Sequence, residues 1–336
     1  MKILVVGCGS IGRCHAINAS RLAQVALVDS DRKRVRDLAA RLDVPWFDSL
    51  PQSLDSWKPN GAVLATPTDT HLDLACRIVD HGVHLLIEKP IAHRIEGVAR
   101  LLDIAETKGC RIFVVCNIRY HPGLVVLRKH LPEIGKPLFA RAHYGNYLPN
   151  MRPGVDYRRL YCAHAAQGGG VILDAIHEVD YLMWFFGAVD GIACEAARLS
   201  DLDIDVEDYA SLTLRFVSGV RAEVHLDYLQ QVKRRGLEVI GTHGTLIWLS
   251  EGKAPELCMV RLLAQGAREE RILYRNDAVD ANVMYTTLIS HFIAELEGRS
   301  TPLLDGYQAL EELAVVLGAK AALKYGKLMR PEDVRR

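Results

Sequence analysis

The sequence has no continuous apolar run of roughly 18 residues or more, so no membrane-spanning helix and no membrane partner are expected. It has no excess charge of either sign: Lys plus Arg number 41 and Asp plus Glu number 41. No overall basic field is therefore available for nucleic acid or anionic lipid, and a charged ligand must be met by a local cluster. The eight cysteines (Cys8, Cys14, Cys76, Cys110, Cys116, Cys162, Cys194 and Cys258) never fall two residues apart, and they sit in apolar segments. A disulfide framework is not expected. Cys162-Ala163-His164 has no second ligand pair at zinc spacing, so no metal is expected either. Repeats and low-complexity tracts are absent. No charged stretch with a following apolar segment and cleavage site opens the chain, and Met1 to Gly7 reads as a buried strand. With free thiols, the expected setting is a reducing cytoplasm.

What is present fits two globular domains. The 336 residues exceed what one core usually organises, and 49% apolar with 24% charged is the balance of a soluble globular protein. Residues 1–118 alternate short apolar runs (Ile3 to Val6, Val25 to Val28, Ala62 to Ala65, His84 to Ile87, Ile112 to Val115) with helical patterns. The helices are predicted at Ile11 to Arg21, Arg32 to Leu42, Leu72 to His81 and Ile95 to Lys108, with Gly82 and Gly109 as C-caps. That rhythm predicts an α/β Rossmann domain with a doubly wound parallel sheet.

Residues 119–336 read as an α+β domain for substrate binding and oligomerisation, built on a large open, mostly antiparallel sheet. A helix at Leu124 to His130 and a strand at Leu138 to Tyr147 lead into a polar loop and then one long helix. Strand-like segments follow between Gly191 and about Leu273, and helices at Val283 to Leu296 and Gly306 to Tyr325 complete this domain. The exposed face of such a sheet is usually covered, so a homodimer or homotetramer is expected.

Gly7-Cys8-Gly9-Ser10-Ile11-Gly12 is a GxGxxG set directly after a strand and directly before a helix. In that context Gly7, Gly9 and Gly12 allow a tight turn and close approach to a pyrophosphate, while Ser10 and Ile11 open the helix whose N–H groups meet its charge. Asp29 ends the second apolar run, where adenosine ribose hydroxyls are expected. A carboxylate accepts from both hydroxyls and repels a 2′-phosphate, so NAD is favoured over NADP. Arg32, three residues on, is near enough to swing over a 2′-phosphate.

Beyond this loop, Ala65-Thr66-Pro67 with His71, then Glu88-Lys89-Pro90, then Asn117-Ile118-Arg119-Tyr120-His121-Pro122, and later Gly168-Gly169-Gly170 with the helix after it, resemble the Gfo/Idh/MocA family in order and spacing. The resemblance implies hydride exchange between NAD or NADP and sugars, inositols or nucleotide-linked sugars. It places Ala65, Thr66, Pro67, His71, Glu88, Lys89 and Asn117 beside the cofactor and Lys89 in catalysis. An ammonium beyond the carboxyl end of a parallel strand can stabilise negative charge on a substrate oxygen as hydride leaves or arrives at the adjoining carbon.

The stretch Asp174-Ala175-Ile176-His177-Glu178-Val179-Asp180 is similar to the family's second catalytic segment. A histidine, with a reference pKa of about 6.5, suits a general base near neutral pH. On one helix, residues three and four apart share a face, so Asp174 lies beside His177 and orients or charge-stabilises the ring. Family members commonly place His four residues after the Asp, whereas here Glu178 holds that position and His177 lies one earlier. His177 is taken as the base, with Glu178 as the second candidate. The loop before this helix offers Tyr147, Arg152, Tyr157 and Arg158, which with Arg119, Lys89, Asp174 and His177 form the expected substrate contacts. Its pattern is similar to members of cell-surface carbohydrate pathways, which implies an acidic or nucleotide-linked sugar. The function expected is an NAD(P)-dependent dehydrogenase or reductase acting on a secondary alcohol or ketone. Two alternatives stand beside it: an NAD-assisted epimerase or hydrolase with transient oxidation, and a non-catalytic NAD-binding sensor.

Overall fold

In the computed structural model, which describes residues 1–335, the chain divides into two compact units. The first comprises Met1–Asn117 together with Asn282–Leu313, and the second comprises Ile118–Ala281 with Ala314–Arg336. Residues 282–313 thus group with 1–117 rather than with the segment that precedes them in the chain.

The first unit runs β1 (Lys2–Val6), α1 (Ser10–Ala19), β2 (Gln24–Val28), α2 (Arg32–Leu42), β3 (Trp46–Phe47), α3 (Leu50–Trp57), β4 (Gly61–Leu64), α4 (His71–Asp80), β5 (His84–Ile87), α5 (Val98–Thr107) and β6 (Ile112–Val114). Its strands form one parallel sheet in the order β3-β2-β1-β4-β5-β6, the doubly wound arrangement expected. Leu4, Val5, Leu27, Val63, Leu64, Leu85 and Ile87 are fully buried, as strands covered on both faces require. Asp31 and Ser49 cap α2 and α3 by accepting from the backbone N–H groups of Arg34 and Gln52.

Two elements escaped the sequence reading. Strand β3 is only two residues long, and α3 carries its apolar residues on a single short face. The helix Asn282–Leu296 (α9) belongs here because Phe292 and Leu296 pack over Gly61, where even a methyl group would sit within 2.8 Å of Leu296.

The second unit contributes α6 (Pro122–His130), β7 (Pro137–Gly145), α7 (Val171–Asp174), α8 (His177–Phe186) and seven further strands. These are β8 (Val189–Ala197), β9 (Tyr209–Phe216), β10 (Arg221–Asp227), β11 (Arg234–Gly241), β12 (Gly244–Gly252), β13 (Glu256–Ala264) and β14 (Arg271–Val279). They form an eight-stranded sheet in the order β14-β13-β12-β11-β7-β10-β9-β8. Every neighbour pair is antiparallel except β10 with β7. Alternation is clean on β10, where Ala222, Val224 and Leu226 are buried and Arg221, Glu223 and His225 are exposed. The last helix, α10 (Gly306–Tyr325), begins in the first unit and ends in the second. Among the described residues no helix is long and apolar enough to cross a membrane.

The single long helix expected after the loop is two helices. Helix α7 stops at Asp174, Ala175 leaves helical geometry with φ −93 and ψ 31, and α8 restarts at His177. Asp174 and His177 are thus not successive positions on one helix, and the argument that they share a helical face does not apply.

Candidate functional site

Parallel pairing sets the loops after β1, β4, β5 and β6 side by side at one edge of the first unit's sheet, the edge where open α/β sheets bind ligands. Four backbone bonds show this row: Gly7 N donates to Val28 O, Ala65 N to Val6 O, Glu88 N to Leu64 O, and Val115 N to Ile87 O, all between 2.8 and 2.9 Å. The GxGxxG loop is drawn tight within it. Gly7 has φ +91, and a Cβ there would lie 2.7 Å from the Ala65 carbonyl oxygen. A Cβ on Gly12 would lie 1.8 Å from the Gly7 oxygen, closer than any real contact. Gly9, by contrast, faces open space, and α1 begins there without a side-chain cap. Glycines where backbone crowds backbone, an open glycine between them and uncapped helical N–H groups make a cradle that fits a pyrophosphate. Gly12→Ala is expected to weaken NAD binding at least tenfold, because the added methyl must push the loop apart; calorimetric titration reads it, with circular dichroism to confirm folding.

Asp29 is buried, and it also holds this loop. Its Oδ2 accepts from Cys8 N at 2.6 Å and its Oδ1 from Asp31 N at 2.8 Å. Arg34, which the sequence reading did not single out, stands 3.4 Å from both oxygens. Arg32, the residue expected to be able to reach a phosphate, is instead bonded to Asp48 at 2.7 Å on the exposed surface.

His71 is fully buried, with Nδ1 3.0 Å from Pro90 O and Nε2 3.0 Å from Thr66 O, so it ties the loop after β4 to the loop after β5. Burial pushes its pKa down, while the two carbonyls pull the other way. Thr70 adds a hydroxyl bond to Thr66 at 2.8 Å. Glu88 is fixed by His15, a wholly buried residue of α1 that the sequence reading missed, through a 2.7 Å contact between Nε2 and Oε1. The other Glu88 oxygen accepts from Lys89 N at 3.3 Å. Lys89 is half-buried just past β5, its bond to Pro90 is cis, and Asn117 is buried past β6.

The second unit holds the other expected residues. Tyr161 donates its hydroxyl to Asp174 Oδ1 at 2.5 Å. Glu207 closes the start of α7, its carbonyl accepting from Val171 N at 3.1 Å and its carboxylate from Ile172 N at 3.3 Å. His177 opens α8 and is buried, with 7% of its surface exposed. Glu178 has no exposed surface at all and forms an ion pair with Arg235 of β11 at 2.7 Å. That guanidinium lies 4.5 Å over the Tyr144 ring. Burial opposes the Arg235 charge, but Glu178 outweighs it and holds the pKa above the usual value.

A second buried carboxylate, Glu256, accepts from His121 at 2.8 Å and Ser250 at 2.6 Å, with Lys233 at 3.3 Å. Burial alone would raise it. These partners overcome that and hold it at about 2.

The expected substrate arginines are placed differently from one another. Arg119 is buried against Asp180, with Nη2 2.5 Å from Oδ1, so its charge is committed inside the unit. Arg158 is exposed but chelates Asp156 of its own loop at 2.9 to 3.2 Å. The Tyr157 hydroxyl accepts from Asp203 N at 3.1 Å. Arg152 is exposed and Tyr147 half-buried on the same loop.

The model of the oxidoreductase family with an NAD-binding Rossmann fold matches residues 1–116, and that of the GFO/IDH/MocA C-terminal domain matches residues 132–247. Myo-inositol 2-dehydrogenase of Thermotoga maritima is 25% identical, covering 99% of both chains. The 1,5-anhydro-D-fructose reductase of Ensifer adhaerens is 28% identical over 79% of this chain and 77% of that one. In fold, the chain is similar to the WlbA dehydrogenase from Bordetella pertussis, solved in complex with NADH and UDP-GlcNAcA, at TM-score 0.80 and 23% identity, covering 98% of both. A glycine cradle fit for a dinucleotide, the Glu-Lys-Pro turn beside it and family matches in both parts of the sequence lead to one assignment: the chain belongs to the Gfo/Idh/MocA family of NAD-binding oxidoreductases.

Proposed function

We propose that the protein interconverts a secondary alcohol and a ketone on a sugar-like substrate, with NAD preferred to NADP. The observation that carries this reading is Lys89, half-buried at the carboxyl edge of the parallel sheet in the same row of loops as the glycine cradle. Bound NAD supplies the hydride acceptor or donor. Lys89 holds the substrate oxygen and opposes the negative charge that builds there. His177 takes the hydroxyl proton in oxidation and returns it in reduction. Asp174 accepts a hydrogen bond from a neighbouring substrate hydroxyl. Relatives named for myo-inositol and 1,5-anhydro-D-fructose, and a structural neighbour solved with UDP-GlcNAcA, support a polyol, sugar or nucleotide-linked sugar.

The test is incubation with NAD and a panel of these three compound types, followed by reduced-cofactor absorbance and product analysis. Lasting, stoichiometric NADH with a keto product is expected for one of them. New product without lasting NADH would instead mark transient oxidation serving epimerisation or hydrolysis, and NAD binding with no product would mark a sensor.

The NAD preference follows from Asp29, whose carboxylate accepts hydroxyls and repels phosphate. Asp29→Asn is expected to weaken NAD binding about tenfold, the order of one charge-assisted hydrogen bond. The same change releases Arg34, now 3.4 Å away, toward a 2′-phosphate, so the NAD-to-NADP affinity ratio should narrow. Titrating both cofactors into both proteins decides it, and equal or tighter NADP binding to the unaltered protein overturns the preference.

We further infer a homodimer or homotetramer. The reading is supported by the open edge of the eight-stranded sheet, where Leu263 of β13 and Ile272 of β14 are 39% and 57% exposed. Light scattering at working concentration tests this, and a monomer contradicts it.

A further inference from the structure

The second unit gathers three buried or half-buried tyrosines around Asp174: Tyr144 of β7, Tyr161 of the turn Tyr161–Ala163, and Tyr228 just after β10. They are not equivalent. Tyr161 donates to Asp174 Oδ1 at 2.5 Å, the short end of the range for a hydroxyl on an ionised carboxylate. The Tyr144 hydroxyl accepts from Asn146 Nδ2 at 3.5 Å, and the Tyr228 hydroxyl has no hydrogen-bond partner among the described residues.

Tyr161 and Asp174 also stand on one rigid frame. Gly170 N donates to Cys162 O at 3.0 Å, and Asp174 N donates to Gly170 O at 3.0 Å, so two backbone bonds connect the tyrosine's turn to the aspartate's helix. Gly169 packs so closely on this turn that a Cβ there would lie 2.7 Å from each of the carbonyl oxygens of Tyr161, Cys162 and His164. Nothing in the sequence pattern singles out Tyr161, because the turn that aims it is held by backbone bonds.

We propose that Tyr161 is the positioning residue for Asp174: its hydroxyl fixes one carboxylate oxygen and keeps the group ionised as the acceptor for a substrate hydroxyl. The proposal rests on the reading of Asp174 as a substrate contact. The hydroxyl can serve as a constant donor because burial, and then the Asp174 charge, hold its pKa well above the usual tyrosine value. Among the groups acting on this cluster are Arg152 and Cys162 at Tyr161, and Asn146 with the Arg235–Glu178 pair at Tyr144. None of these is altered by a phenol-to-phenyl change at residue 161.

A hydrogen bond to a charged acceptor favours the charged form, so its loss should raise the carboxyl pKa by about one to two units. The experiment is a carbon-13 NMR titration of aspartate carboxyls in the full chain with NAD bound, with the Asp174 signal identified by its disappearance in Asp174→Asn. Tyr161→Phe is expected to move the Asp174 midpoint upward by one to two pH units. Tyr228→Phe, the same chemical change on a neighbouring ring with no bond to lose, should leave it within a few tenths. A Tyr161→Phe midpoint that stays put, or a Tyr228→Phe midpoint that moves equally, overturns the proposal.

If Tyr161→Phe does not fold, the unaltered protein still answers. The ring carbon of Tyr161 that bears the hydroxyl should shift as Asp174 titrates, and a silent ring overturns the proposal. With a substrate from the panel, Tyr161→Phe should raise KM as pH falls through the new midpoint, while kcat at neutral pH stays within a few-fold. The NMR titration needs no turnover, so it separates failure of this proposal from failure of the oxidoreductase reading.

Discussion

Lys89→Ala is expected to lower kcat about a hundredfold or more while leaving NAD affinity within a few-fold. Removing one aimed donor from a site that stabilises developing charge typically has that cost. Affinity should survive because the groups that cradle the cofactor lie elsewhere, on Gly7, Gly9, Gly12 and Asp29. The loops around residue 89 are held by His71, through the Thr66 and Pro90 carbonyls, and by His15 through Glu88. Those bonds persist in Lys89→Ala, and circular dichroism beside the titration confirms that the variant is folded. Lys89→Arg should rescue little. A guanidinium is planar and directional where an ammonium is a compact point charge, and the longer fork moves the charge away from the oxygen it must meet. Stopped-flow turnover beside cofactor titration checks both variants. Activity within a few-fold of the unaltered protein would make Lys89 a structural residue and remove the main support for the proposed chemistry.

The sequence made the first unit's sheet legible because its signals are local. Each of β1, β2, β4, β5 and β6 is a continuous apolar run, and GxGxxG has meaning only between such a run and a helix. β3 was not legible, since two residues at a sheet edge carry no period. Nor was the break after Asp174: apolar residues continue through Ala175 and Ile176, so the pattern reads as one helix although the backbone turns there. The least visible features are charge pairings between distant positions. Arg119 with Asp180, Arg235 with Glu178 and His15 with Glu88 are each set by the fold's topology, and no spacing rule joins them. Arg119 and Arg158 look alike as loose basic residues near the site. Only the structure shows that one is locked inside against an aspartate and the other is held by its own loop.

Which of His177 and Glu178 is the base can now be tested with a sharper expectation than residue spacing offers. Glu178 is fully buried and paired with Arg235, so its carboxylate is already neutralised by a guanidinium inside the second unit. A general base must meet the substrate hydroxyl and accept its proton, and a carboxylate held by a buried arginine is a poor acceptor. Glu178→Gln should therefore act on stability. Leaving Arg235 charged, buried and without its partner costs about 3 to 5 kcal/mol, read as a lower melting temperature, with the pH profile of the surviving enzyme unchanged. Replacing both members at once, Glu178→Met with Arg235→Met, leaves no buried charge behind and should recover most of that loss.

His177→Ala should do the reverse. The protein should stay folded by circular dichroism and lose most of its rate. Oxidation by the unaltered enzyme should fall as pH drops through the imidazole range, because a protonated ring cannot take another proton, and that acid limb should vanish in His177→Ala. Measured on one active substrate, a near-normal His177→Ala enzyme beside a folded but inactive Glu178→Met/Arg235→Met enzyme would move the base to Glu178. The Arg235 pair would then have to open during turnover to release the carboxylate.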